Sequence, residues 1–202
     1  ISINEKENYQ ENLDIIKNQI KQIGNLVNEF SDFARMPKPI LKNNDLILIL
    51  NDNVELLKKL DNKINFEFNT NSDSIVFNCD KEQLSRVFFN LIKNAIESLQ
   101  QKRENNSDFT GKIVIEINKF NDNIDIKIVD NGIGFEILND KIKDILNPYF
   151  TTKKNGTGLG LSIVNKIIND HNGKIEFYSI AEGAEVQIIF NLNDSRNTHS
   201  RR

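Results

Sequence analysis

From Leu13 to Ala34 the apolar side chains Leu13, Ile16, Ile20, Ile23, Val27, Phe30 and Ala34 recur at alternating spacings of three and four, and Leu26 and Phe33 widen the stripe. This spacing predicts a long helix with one apolar seam. Gly24 weakens it locally, and Pro37 and Pro39 end it, because the residue before a proline is pushed out of the helical region. An amphipathic helix lying on its own domain's core would show such a stripe. A strict seam followed at once by Pro-Lys-Pro looks more like one strand of a helical bundle whose partners are missing, with Pro37–Pro39 as the hinge to a second unit.

Beyond Ile40 the pattern is mixed. Asp45 to Leu60 reads as a helix, although its Leu-Ile-Leu-Ile-Leu start resembles a strand. Ile64 to Asn69 alternates apolar and polar residues, and Ser74 to Asn78 is a second short strand. Asp80 is a good N-cap for a helix running to about Gln101, and Gln83 three residues on can complete a capping box. Arg103 to Gly111 is polar loop. Lys112 to Lys119 and Ile124 to Val129 alternate as strands around Asn121-Asp122-Asn123, a tight hairpin. A glycine-punctuated loop leads to a helix from about Gly158 to Asp170, which Asn172-Gly173 stops. Lys174 to Ile180 and Ala184 to Leu192 form a closing hairpin. The expected division is residues 1–39 as bundle helix and hinge, 40–193 as an α+β domain, and 194–202 as a disordered tail.

The 202 residues carry 26 Lys+Arg against 29 Asp+Glu, a formal net charge of −3, and mild acidity argues against a nucleic-acid partner. The longest aliphatic run, Leu46 to Leu50, is far short of the roughly 20 residues that span a bilayer. A lone Cys79 cannot pair within the chain and fits a reducing compartment. The chain opens at Ile1 and its only methionine is Met36, so it is expected to be a piece of a longer protein, with any membrane anchor upstream.

Four elements carry the chemistry. Asn90 and Asn94 are four apart on the helix begun at Asp80, so their carboxamides share a face, with Glu97 and Ser98 one turn further on. Opposite lies the core stripe Leu84, Val87, Phe88, Leu91, Ile92, Ala95 and Leu99. Two buried Asn on a helix are costly unless they bind something. Asp130 ends a strand and is followed by Gly132 and Gly134; a carboxylate held there can accept a hydrogen bond from an exocyclic amine, and the glycines let backbone approach a flat base. Gly156, Gly158 and Gly160 alternate just before a helix, aiming backbone N–H groups and the positive helix end at an anion. Between them, Pro148 to Lys154 supplies an aromatic residue and cations.

In this order the motifs resemble the boxes of the histidine-kinase ATPase domain: Asn90 to Ala95 the N box, Asp130 to Gly134 the first glycine box, Pro148 to Lys153 the F box, and Gly156 to Leu161 the second glycine box. The resemblance covers about residues 40–192. It implies the Bergerat (GHKL) fold shared with gyrase, Hsp90 and MutL, a two-layer α/β sandwich with a mixed sheet, here preceded by a long bundle helix. Upstream, Val27 to Pro37 resembles the end of the second dimerisation and phosphotransfer helix of NtrY-type nitrogen-regulation sensor kinases.

The resemblance implies ATP and Mg²⁺ as cofactors. Asn94 becomes the Mg²⁺-coordinating carboxamide, with Asn90 beside it at the phosphates and Lys153 at the terminal phosphate. Asp130 reads the adenine amine, and Gly132 and Gly134 shape its pocket. The backbone of Thr157, Gly158, Leu159 and Gly160 cradles the phosphate chain, and Phe150 pins a lid spanning about residues 135–155. The hydrolysing branches carry a Glu where this chain has Asn90, and an amide cannot activate water, so the comparison favours phosphoryl transfer to a protein histidine. Two departures stand out: Ala184 takes the place of the Thr usual beside the adenine, and the phosphoacceptor helix is absent. His171 matches a structural His of the family, and His199 lies in the polar tail.

The expectation is a histidine kinase core that phosphorylates a His on a missing upstream helix and, through it, an Asp on a response regulator. The full-length protein would be a homodimer, and this part the cytoplasmic portion of a bacterial inner-membrane sensor. The alternatives are a GHKL ATPase, or an ATP-sensing interaction module without net chemistry.

Overall fold

The computed structural model describes residues 3–106, 108–135, 144–153 and 156–192. Helix α1 (Ile3–Ala34) ends as its prolines require, with the Arg35 N–H donating to the Ser31 carbonyl at 3.0 Å. Its seam faces solvent: Ile16, Ile20, Ile23, Val27 and Phe30 are 48–65% exposed. The helix therefore does not lie on the core. Beyond it, Met36 packs against the core and two polar bonds tie the connection to the domain: Gln83 Nε2 donates to the Pro37 carbonyl at 3.0 Å and the Ile40 N–H to Asp80 Oδ2 at 2.8 Å.

A strand that the apolar pattern does not predict comes next. β1 (Lys42–Asp45) is entirely polar in sequence and pairs antiparallel with β3 (Val76–Cys79). Asp45 closes this pair and opens α2 (Leu46–Leu57): Oδ1 accepts from the Ile47 N–H at 2.9 Å and the Ile75 N–H at 3.2 Å, while the Ser74 hydroxyl donates to Oδ2 at 2.6 Å. The expected helix over Asp45 to Leu60 thus starts one residue later, and its last turn tightens into a 3-10 turn, Lys58–Leu60. The strand expected at Ser74 to Asn78 is shifted towards Cys79 because its register is set by β1.

The main sheet has the order β2-β4-β5-β7-β6, formed by β2 (Asn65–Thr70), β4 (Lys112–Lys119), β5 (Asn123–Asp130), β7 (Gly183–Asn191) and β6 (Gly173–Ile180). β2 and β4 run parallel and the other pairs antiparallel, giving the expected mixed sheet. Helices α3 (Lys81–Asn105) and α4 (Gly160–Asp170) pack on it, and α2 packs on α3. The core stripe of α3, Leu84 through Leu99, is buried as its spacing implies. Period-two alternation sends Ile113, Ile115 and Ile117 of β4 and Ile124, Ile126 and Ile128 of β5 to the same buried layer. Asp130 is next in that alternation, so the sheet delivers a carboxylate to the face on which α3 lies.

The start of α3 differs from a capping box. Asp80 Oδ1 accepts from the Gln83 N–H at 3.1 Å, but the Gln83 side chain does not return the bond. The Asp80 N–H instead donates to His171 Nε2 at 3.0 Å, tying the end of α4 to the start of α3. At its other end α3 runs on to Asn105, past the expected stop near Gln101. Arg103 there meets Asp61 Oδ2 at 2.8 Å.

Candidate functional site

Asn90, Asn94, Ser98 and Lys102 are spaced by four, so they form one polar line along α3. All four are half-buried, between a buried pair and a solvated one, which lowers the cost of leaving the Asn residues without a ligand. The line faces the glycine clusters at both ends.

At the β5 end, Asp130 is 7% exposed. The Gly132 N–H donates to its Oδ1 at 2.8 Å and the Ser98 hydroxyl donates to the same oxygen at 3.3 Å. The Ile133 N–H donates to Ser98 Oγ at 3.1 Å. Burial pushes the Asp130 carboxyl above its ordinary value, opposed by these two hydrogen bonds and by the charge of Lys102. Lys102 Nζ donates to the carbonyls of Asn131 at 2.6 Å and Gly132 at 3.1 Å, and lies 4.7 Å from the centre of the Phe109 ring. Asn131 clamps the turn to β4, accepting from the Lys112 N–H at 2.7 Å and donating to the Thr110 carbonyl at 3.1 Å.

The glycines here are required by close approach. A Cβ on Gly132 would stand 2.1 Å from Ser98 Oγ, and Gly134, at φ 72°, would bring one within 2.7 Å of the Gly183 carbonyl oxygen. Ala184 of β7 lies in register beside Asp130, where the resemblance places a Thr, so a methyl group flanks the carboxylate. A cavity of about 680 Å³ opens beside this turn, lined among others by Lys102, Phe109, Asn131, Gly132, Phe135 and Gly183. Asn90, Asn94 and Lys153 are not part of it.

At the other end, Lys153 Nζ donates to Asn94 Oδ1 at 2.9 Å and is paired with Glu97. A cation already sits against the Asn94 carbonyl oxygen, beside a carboxylate; hard oxygen donors of this kind suit Mg²⁺. Gly160 lies next to Asn90, a Cβ built there being 3.8 Å from Asn90 Oδ1. The N-cap of α4, Leu159, makes no side-chain cap bond, which leaves the first-turn N–H groups open to an anion. The Leu159 N–H itself donates to Thr157 Oγ1 at 3.3 Å, and the Leu159 side chain is buried, so this residue can offer only backbone. The Thr157 hydroxyl in turn donates to Glu29 of α1.

Gly158 adopts φ 70° with its Cα against the backbone of Tyr149, where a Cβ would come within 2.4 Å. The Tyr149 N–H donates to the Gly158 carbonyl at 3.0 Å, joining the two loop segments. Phe150 is 37% exposed and stands outside the hydrophobic core, so it is no anchor to the core in this conformation. Residues 136–143 and 154–155 of the expected lid lie outside the described residues. The sequence places Glu97 and Ser98 one turn beyond Asn94 without giving them a role, and Lys102 continues the same spacing; Glu29 carries no local signal, because its partner is 128 positions away.

Residues 79–194 match the family described as histidine kinase-, DNA gyrase B-, and HSP90-like ATPase. The chain belongs to this family. The relatives of this family member include a putative NtrY-like sensor histidine kinase of Rickettsia bellii, 37% identical over 193 residues, covering 95% of this chain and 30% of the relative. The nitrogen regulation protein NtrY of Azorhizobium caulinodans is 33% identical over 188 residues, or 93% of this chain and 24% of that protein. The chain therefore spans less than a third of these relatives' length.

Among solved structures, the nucleotide-free catalytic domain of histidine kinase ThkA superposes with a TM-score of 0.64 at 27% identity, covering 75% of this chain and 95% of that one. ThkA in complex with its response regulator TrrA matches with a TM-score of 0.72 at 24% identity, over 91% of this chain and 51% of that chain. The fold is thus the GHKL type expected, α+β with a mixed sheet. No helix among the described residues is long and apolar enough to cross a membrane.

Proposed function

We propose that this chain is the ATP-binding kinase core of a two-component sensor histidine kinase. It binds Mg²⁺·ATP and delivers the terminal phosphoryl group to a His on a helix not contained in the chain, from which an Asp of a response regulator receives it. The observation that carries this reading is the polar line on α3, with Asn90 and Asn94 beside the phosphate-type loop at one end and Ser98 beside a buried strand-end Asp130 at the other. Asn94 holds the metal and Asn90 borders the phosphates. Lys153, released from Asn94 and Glu97, reaches the terminal phosphate, and the Thr157–Gly160 backbone cradles the chain. Asp130 takes the adenine amine, with Gly132 and Gly134 closing on the base. Phe150 belongs to the F box and packs only when the lid closes.

Mg²⁺, when bound, neutralises phosphate charge. The protein's own contribution is positioning, since phosphoryl transfer asks little covalent work of it. Asn90 cannot act as a general base towards water, which favours transfer over hydrolysis. Residues 1–39 form the second bundle helix and hinge and 40–193 the catalytic unit; the expected tail, 194–202, lies outside the described residues. The exposed seam of α1 is the surface that the missing helix and a second protomer cover in the full-length dimer.

The test is to supply the missing helix as part of a longer chain and follow label from γ-³²P-ATP. Acid-labile label on the added helix's His, with little free phosphate, is the expected result. Rapid phosphate release without protein label overturns it in favour of an ATPase, and nucleotide binding with neither outcome would favour a sensing module.

A further inference from the structure

The two oxygens of the Asp130 carboxylate are not equivalent. Oδ1 accepts both hydrogen bonds, from the Gly132 N–H and the Ser98 hydroxyl, whereas Oδ2 accepts none among the described residues. The direction of the Ser98 bond is set by a third group. Because the Ile133 N–H donates to Ser98 Oγ, the hydroxyl's single proton is turned to Asp130. A proton on Oδ1 would confront two donors, so a proton taken up by this carboxyl must sit on Oδ2. That oxygen is an acceptor when Asp130 is ionised and a donor when it is not.

We propose that Ser98 is the positioning residue for base specificity: by donating to Oδ1 it leaves Oδ2 as the acceptor presented to the base, so that the pocket takes a 6-amino purine and turns away a 6-oxo purine. The inference rests on the reading of Asp130 as the base-contacting residue. A 6-amino group donates to a bare Oδ2, whereas a 6-oxo group meets it acceptor to acceptor and leaves a buried group unpaired. The surroundings make the charge state sensitive to this one hydroxyl. Ile113 of β4 and Ala184 of β7 flank Asp130 in register and carry no charge; from α3 the charge of Lys102 acts on it electrostatically. Burial raises the carboxyl, and the Ser98 bond is one of the few forces holding it down.

The experiment titrates ADP and inosine diphosphate into wild type, Ser98→Ala and Asp130→Asn by calorimetry between pH 5 and 8. A ¹³C NMR titration of the Asp130 carboxyl runs in parallel without nucleotide. In wild type ADP should be preferred, with the preference shrinking as pH falls. Ser98→Ala should lose about ten-fold of the ADP over inosine diphosphate discrimination, as removal of one hydrogen bond to a charged group implies. Its Asp130 carboxyl should titrate at higher pH than in wild type. An unchanged discrimination ratio, or an unchanged carboxyl titration, overturns the inference. Asp130→Asn separates this from the underlying reading: unchanged ADP affinity in that variant refutes base contact by Asp130, while its loss alongside an unaffected Ser98→Ala refutes only the role of Ser98.

Discussion

His171 offers a stability test whose size can be worked from the structure. The ring is 4% exposed, Nδ1 donates to the Ile167 carbonyl at 2.8 Å, and Nε2 accepts from the Asp80 N–H at 3.0 Å. Both bonds require a neutral ring with its proton on Nδ1; a proton on Nε2 would set donor against donor. Burial pushes the pKa below its usual 6.5, and the Ile167 carbonyl with the charges of Asp80 and Asp170 only partly offsets this. Between the unfolded value and the lower folded one, the unfolded chain binds a proton that the folded chain refuses, so stability falls as pH drops through that window. The loss grows as pH falls below 6.5, at a slope of at most about 1.4 kcal/mol per pH unit. Replacing His171 by Ala strands the Asp80 N–H and removes a buried ring, at a cost of about 2–4 kcal/mol near pH 7.5. Urea unfolding followed by circular dichroism, at a series of pH values from 5.5 to 7.5, should show that cost shrinking towards the acid end. His199 and Asp130 are present in both proteins and cancel in the difference. A cost that is the same at both pH values would mean that His171 titrates alike folded and unfolded, and the buried neutral ring would be wrong.

Other expectations are independent of that one. Asn94→Ala should weaken ADP binding in the presence of Mg²⁺ and leave metal-free binding little changed; equal loss with and without metal in a Mg²⁺ titration would make Asn94 structural. Glu29→Ala should free the Thr157 hydroxyl and tighten nucleotide binding by up to about five-fold, roughly the worth of one hydrogen bond, and calorimetry showing weaker binding would contradict competition for that hydroxyl. Asp61→Asn should cost about 1.5–3 kcal/mol at pH 7 through lost hydrogen bonds to a charged group. Burial raises the Asp61 carboxyl, but bonds from the Lys63 N–H, Arg103 and Gln100 hold it below its ordinary value, so the cost should vanish as pH falls through the folded value; unfolding at pH 3 and 7 tests this. Gly158→Ala, with a Cβ 2.4 Å from the Tyr149 backbone at φ 70°, should lower the melting temperature and the nucleotide affinity together.

What could be read in advance follows from which interactions leave a trace in one stretch of chain. The α1 seam, the buried stripe of α3 and the alternating strands β4 and β5 are periodic, and each was legible. The Asp130 and glycine positions were legible as chemistry because Asp and Gly are depleted in strands and three alternating glycines stand just before a helix, where free N–H groups gather. β1 left no trace, since Lys-Asn-Asn-Asp has no apolar alternation and is a strand only because β3 pairs with it. Gln83 satisfies the local rule for a capping box yet turns to the Pro37 carbonyl, while His171 takes the bond that the box would have made. Phe150 carries the motif's aromatic but is 37% exposed and stands outside the hydrophobic core, which residue type alone does not reveal.

The four-residue spacing along α3 gives the two ends of the site a fixed separation. Twelve residues from Asn90 to Lys102 at 1.5 Å each make a rigid gauge about 18 Å long. Substitutions along it change one station at a time. An inserted or deleted residue is of another kind, since it turns everything beyond by about 100° and slides it by 1.5 Å, carrying Ser98 and Lys102 away from the Asp130 turn while Asn90 stays in place. Evolution can therefore retune either end of this pocket by exchange of side chains, but it can alter the distance between them only by rebuilding the helix and the end of the central strand β5 together.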